Sequence, residues 1–153
     1  MNHSIGVEGA FLNSAFGAQA IHVFIEAYER QRRPVPLELI FPAVAIAFNG
    51  DIRDELSGNQ TSNLVSVIGS NPQLKVGLSD ASRALNSFAW RSLGVLVAAG
   101  RVELKRDGTL TSSQPVQSVP DSDKCISAMK LMGTLCGKIG DPTTVFALLE
   151  VQP

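Results

Sequence analysis

The chain has 153 residues, with 13 lysines and arginines against 14 aspartates and glutamates and a formal net charge of -1. That length suits one domain, 1–153, which can bury a core without disulfides or a metal, and the balanced charge argues against a protein that holds nucleic acid by electrostatics alone. No apolar run reaches the roughly 18 residues of a membrane span, and Met1-Asn2-His3-Ser4 followed by Glu8 lacks the features of a signal or transit peptide, so a cytoplasmic location is expected.

Residues 1–12 read as a flexible arm. Asn13 or Ser14 can cap a helix by offering a side-chain oxygen to the first free amides. The helix runs from Ala15 to about Gln31, with Phe16, Ile21, Phe24, Ile25 and Tyr28 on one stripe. Glu26, Glu29, Arg30 and Arg32 lie mostly off it. The Arg30–Arg33 stretch suits a helix C-terminus, and Pro34 and Pro36 stop the helix. Leu37 to Phe48 is apolar throughout, which periodicity cannot assign to helix or strand. Alanines 43, 45 and 47 favour a buried helix, although Pro42 requires a kink or a first turn there. Asn49-Gly50 ends it, and Asp51 caps a short turn through Leu56.

After the loop Gly58-Asn59-Gln60, Thr61 or Ser62 caps a helix carrying Leu64, Val65, Val67 and Ile68. Asn71-Pro72 starts the next, which runs through Leu74, Leu78 and Leu85 with Gly77 as a weak spot. Asn86 or Ser87 caps a further helix, Phe88 to Ala99, closed by Gly100. Arg101-Val102-Glu103-Leu104 and Thr109-Leu110-Thr111 alternate polar and apolar around Asp107-Gly108, the mark of a two-stranded hairpin. Ser112 to Pro120 is a polar connection. Asp121 or Ser122 caps a long helix with Ile126, Met129, Leu131, Met132 and Leu135. Asp141-Pro142 begins a final helix through Leu149.

The fold class expected is therefore mostly α, a compact helical domain with a winged-helix-like helix–helix–β-hairpin core. In a DNA-binding winged helix, the helix before the hairpin reads base edges with Arg, Lys, Asn or Gln. Here that helix offers Arg91, and the wing adds Arg101, Lys105 and Arg106 as phosphate contacts. Four cations on a chain of net charge -1 make weak DNA binding. The helix is apolar nearly all round and carries Phe88 and Trp90, so it belongs in a core or against a partner. A DNA-binding winged-helix regulator is the alternative reading.

Catalytic and metal-binding patterns are sparse. His3 lies in the arm, and His22 follows Ile21 on the first helix as a half-buried structural residue. The sequence has no HxxxH, CxxC or GxxxxGK, and Asp51, Asp54 and Glu55 read as solvated groups on a short turn. Cys125 and Cys136 fall in one helix, about 16 Å apart along its axis, whereas a disulfide needs alpha carbons within about 7 Å. They read as buried free thiols; a reactive thiol would want a nearby cation, and the adjacent Lys124 and Lys138 are expected to point to solvent. No enzyme, metal or cofactor is expected. Charged residues make up 18% of the chain and mean hydropathy is +0.14. Either a well-filled core or apolar helix surface covered by a partner explains such values, and self-association is one form of such covering.

Several segments, in order, resemble a known family. They are Leu12-Asn13-Ser14-Ala15 with the helix to Tyr28, the block Leu37–Phe48 followed by Arg53-Asp54-Glu55-Leu56, and Asn71-Pro72-Gln73-Leu74. Gly77-Leu78, Arg83-Ala84-Leu85 and the helix–Gly100–hairpin come next. Lys138-Ile139-Gly140-Asp141-Pro142-Thr143-Thr144-Val145-Phe146-Ala147-Leu148-Leu149 closes the set. The set is similar to the middle component of bacterial three-component ABC-type ATPase systems. The resemblance departs at Gly77 and Gly94, where family members often carry a larger or charged residue. It implies a non-catalytic adaptor that links an ABC/SMC-like ATPase to a larger effector protein in an anti-phage defence module. Nucleic acid would then be met only through the complex. Trp90 and Arg91, of types enriched at binding hot spots, and Arg101, Lys105 and Arg106 on the wing are the expected contact residues.

Overall fold

A computed structural model of the chain describes residues 13–57, 77–117 and 123–149. The expected arm 1–12, the helix after Thr61 or Ser62, the start at Asn71-Pro72, and the caps at Asp121 or Ser122 lie outside the described residues. Within them, helix α1 spans Ser14–Glu29, strand β1 Val35–Pro36, a 3-10 turn Leu37–Leu39, helix α2 Ile40–Ala47 and helix α3 Gly50–Ser57. Helix α4 spans Leu78–Ala98, strands β2 and β3 Val102–Leu104 and Thr109–Ser112, helix α5 Lys124–Ile139 and helix α6 Pro142–Leu149. The mostly helical class holds.

Helix α1 sits at the centre. Asn13 caps it, its Oδ1 accepting from the N–H groups of Ala15 (2.8 Å) and Phe16 (3.3 Å). The expected single stripe is too narrow: Ala18, Ala20, Ile21, His22, Val23, Phe24, Ile25, Ala27 and Tyr28 are all buried. Helix α5 covers one side, α4 another, and β3 a third. Small residues let the helices approach. A Cβ on Gly133 of α5 would press into the Phe24 carbonyl of α1, and one on Gly137 would lie 3.0 Å from the Tyr28 carbonyl. Gly133 and Gly137 form a G-x-x-x-G spacing whose close backbone approach is its physical use.

The basic end of α1 is placed differently from expectation. The helix stops at Glu29, and its last turn holds no basic residue. Arg32 instead serves α5, donating from Nε to the Gly137 carbonyl at 2.6 Å. It thereby satisfies an acceptor that the helix C-terminus leaves open.

The block Leu37–Phe48 is helical and buried, as its alanines suggest, after the short 3-10 turn. Pro42 falls in the first turn of α2, where an amide would have no intrahelical acceptor. The next helix is capped by Asn49 rather than Asp51: the Ile52 N–H donates to Asn49 Oδ1 at 3.1 Å.

Helix α4 corrects two expectations at once. Gly77 is its N-cap, with φ of 80°, a left-handed conformation that glycine adopts freely. Asn86 and Ser87 do not interrupt the helix. Leu78, Ala81, Phe88, Ala89, Ser92, Leu93 and Leu96 are buried on one face, and their spacing of three and four keeps phase across 86–87.

The hairpin is present, but the sheet has three strands in the order β1-β3-β2. Val35 pairs with Leu110 and Pro36 with Thr109, and Pro36 is tolerated because β1 is an edge strand. Gly108 has φ of 82°. Its N–H donates to the Lys105 carbonyl (3.1 Å), while the Lys105 N–H donates to that of Thr109 (2.9 Å). The connection is therefore Arg106-Asp107-Gly108, a three-residue loop. Asp123, rather than the expected Asp121 or Ser122, caps α5 through the N–H groups of Cys125 (2.8 Å) and Ile126 (3.1 Å). Asp141 accepts from the Thr143 N–H at 3.2 Å as α6 begins.

Candidate functional site

The residues expected to make contacts separate into two regions. Trp90 lies on the outer side of α4, 47% exposed, with its ring 5.0 Å from that of Phe41. Together they line a groove of about 590 Å³, a volume within the range of binding clefts. Leu37 from the 3-10 turn, Pro42 from the first turn of α2 and Phe146 from α6 add apolar wall, and Asp107-Gly108 from the hairpin loop forms part of the rim. The Leu37 N–H donates to the Gly108 carbonyl at 2.9 Å. This bond sets Glu38 and Asp107, both lining residues, along one edge. The hydrogen bond from Thr109 holds the Asp107 carboxyl below its ordinary pKa, so it is an anion at neutral pH. Arg83, on the α4 side, is engaged with Asp80 at 3.4 Å.

Arg101 is elsewhere. It lines a smaller hollow of about 320 Å³ together with His22, Gln19, Val95 and Gln117. His22 is only 1% exposed, more deeply placed than the half-buried position expected. Its Nε2 lies 2.9 Å from Ser112 Oγ, and that hydroxyl donates to the Gln114 carbonyl at 2.7 Å. The hydroxyl proton is thus committed, and the imidazole N–H must be the donor to Ser112. Burial lowers the His22 pKa; the Gln114 backbone and Glu26 oppose this, and Arg101 adds to it. The structural role expected for His22 fits this arrangement.

Two glutamates expected mostly off the apolar stripe of α1 hold the post-hairpin connection. Glu29, with a side chain 6% exposed, accepts from the Ser112 N–H at 3.1 Å. Glu26 accepts from the Val116 N–H at 3.2 Å. Lys105 and Arg106 are exposed at the hairpin tip and Arg91 on the outer face of α4. Sequence reasoning did not find Leu37, Glu38, Phe41 or Asp107 as groove residues. A run with no polar face gives no sign of which side stays uncovered, and the proximity of 37–38 to 107–108 is created by β1 pairing.

Neither cysteine is in a disulfide, as expected. Cys136 is buried and its thiol is pushed up to about 12 by desolvation. Cys125 is only partly buried, and the expectation that no cation approaches it is corrected. Arg53 Nη1, from α3, lies 3.4 Å from its sulfur. Among the described residues, no three His, Cys, Asp or Glu side chains are placed to share a metal ion. No helix among them is long and apolar enough to cross a membrane.

Set beside known families, this chain matches the ABC-three component (ABC-3C) system Middle Component 3 over residues 6–153. It belongs to that family. No curated protein and no solved structure matches it. A middle component is one part of a three-component system, so a Middle Component 3 protein has partner components by definition. The two positions where the sequence departs from the resemblance are accommodated without packing cost. Gly77 supplies the left-handed cap of α4, and a Cβ on Gly94 would meet nothing within 4 Å.

Proposed function

We propose that this Middle Component 3 protein is a non-catalytic adaptor of winged-helix-like form, linking an ABC/SMC-like ATPase to a larger effector in a bacterial defence system. The order α1, β1, α2, with α3 following before the long α4 and the hairpin, and the sheet order β1-β3-β2 support the winged-helix comparison, in which α4 corresponds to the reading helix. The observation that carries the adaptor reading is the outer face of that helix. Trp90 and Val95, at 47% and 41%, are exposed beside Arg91, Gly94 and Ala98. Such a face offers an aromatic anchor, one guanidinium and flat apolar backbone. It suits a protein surface and is poor in groups that pair with base edges. Arg101 at the other end of the wing is half-buried beside His22, which leaves Lys105 and Arg106 as the wing's outward cations.

Co-expression of the chain with each of the other two components of its system tests the reading. Stable complexes with both are expected, weakened by Trp90→Ala and Val95→Asp. Binding to neither component would remove the adaptor role. A salt-dependent shift of duplex DNA by the chain alone, with a slope equal to several phosphates, would replace it with the DNA-binding reading.

A further inference from the structure

Among the described residues, three large apolar side chains are exposed: Trp90, Val95 and Leu104. Trp90 lines the groove described above, and Leu104 stands at the end of β2, immediately before Lys105 and Arg106. All three residues of this Leu104-Lys105-Arg106 tip are exposed. The groove offers what such a tip lacks. Part of its lining is apolar through Leu37, Phe41, Pro42, Trp90 and Phe146, polar Ser79, Ser82 and Asn86 of α4 line the rest, and its charged residues are Glu38, Asp107 and Arg83. With two carboxylates against one guanidinium, the charge lining the groove is net acidic.

We propose that the groove receives the hairpin tip of a second copy of this chain, giving a two-fold dimer. Leu104 of each copy enters the apolar groove of the other, against Trp90 and Phe41. Lys105 and Arg106 then reach Glu38 and Asp107. Because Asp107-Gly108 borders the groove and also belongs to the hairpin loop, tip and groove are neighbours on the surface. Such an arrangement lets one two-fold operation satisfy both at once, as an isologous interface requires. An anionic ligand would face two carboxylates there. A purely apolar one would desolvate them without a partner.

Trp90 serves both readings, so the test uses the isolated chain: failure to dimerise leaves the adaptor reading, tested with the other two components, standing. Molecular mass by light scattering is followed over micromolar to submillimolar concentration, with the emission of Trp90, the single tryptophan, recorded on the same samples. A monomer–dimer transition is expected, with a blue shift of Trp90 emission that tracks it and a midpoint that rises with salt. Glu38→Arg alone and Arg106→Glu alone should each weaken the dimer at least tenfold. Mixing the two variants should restore a one-to-one dimer, because each then supplies the charge the other's groove or tip lacks. Both substitutions are at exposed positions, and unchanged urea midpoints verify folding. Three results would overturn the proposal: a monomer at every concentration, a dimer indifferent to both reversals and silent in Trp90, or reversals that fail to complement.

Discussion

Glycine has opposite meanings at two helical positions of this chain. Gly94 lies on the solvent side of α4, and a Cβ there would meet nothing within 4 Å. Gly133 lies where α5 crosses α1, and a Cβ would collide with the Phe24 carbonyl and come 2.8 Å from Ala27 Cβ. Gly94→Ala should therefore raise stability by about 0.5–1 kcal/mol, the helix-interior cost of glycine. Gly133→Ala should lower it by roughly 1–3 kcal/mol through overpacking. Urea unfolding of the two variants checks both signs. The cysteines divide in a similar way. Cys136 is fully buried with its thiol pushed up to about 12, whereas Cys125 is partly open and has Arg53 beside it. A thiol-specific reagent at pH 8 should label Cys125 in the folded chain and both cysteines only in denaturant. Equal labelling rates in the folded state would contradict this.

Between elements, the tie from α1 to the post-hairpin connection carries a pH dependence through His22. His22, Glu26 and Glu29 all project from α1 onto residues 112–116. His22 is buried and its pKa is lowered, chiefly by desolvation, so folding favours the neutral ring. The stability it contributes is fully present above about pH 6.5, the unfolded imidazole value, and drains away as pH falls from there through the lowered folded value. The urea midpoint should hold level from pH 8 to 7 and decline as the pH falls below about 6.5. His22→Gln keeps an N–H for Ser112 and should remove that decline, leaving only the carboxylate-driven loss at lower pH. Much of this layer could be read from residue order. The caps at Asn13 and Asp141, the buried Leu37–Phe48 helix and the hairpin around Asp107-Gly108 are local chemistry. Strand β1 was not legible, because two residues show no periodicity and one is proline. The continuity of α4 was legible but missed: Asn86 and Ser87 look like caps, yet the buried residues on either side stay in phase. The G-x-x-x-G of α5 was likewise present in the sequence, although only the crossing with α1 gives it a purpose.

For the molecule as a whole, the sequence and the structure speak to different questions. Family membership was visible in the order of weak motifs and holds over residues 6–153. The groove was not, because it is assembled from α2, α4, α6 and the hairpin loop, segments that come together only in the fold. Of the residues singled out beforehand, Trp90 lies in it, Lys105 and Arg106 stand beside it on the loop, and Arg101 belongs to another hollow. The adaptor account requires that this chain be the physical bridge between the other two components. Reconstitution from the three purified components, with complex mass determined by light scattering, tests that most directly. A complex containing all three should form, and omission of this chain should leave the ATPase and the effector apart. A complex of ATPase and effector that assembles equally well without it would contradict the account.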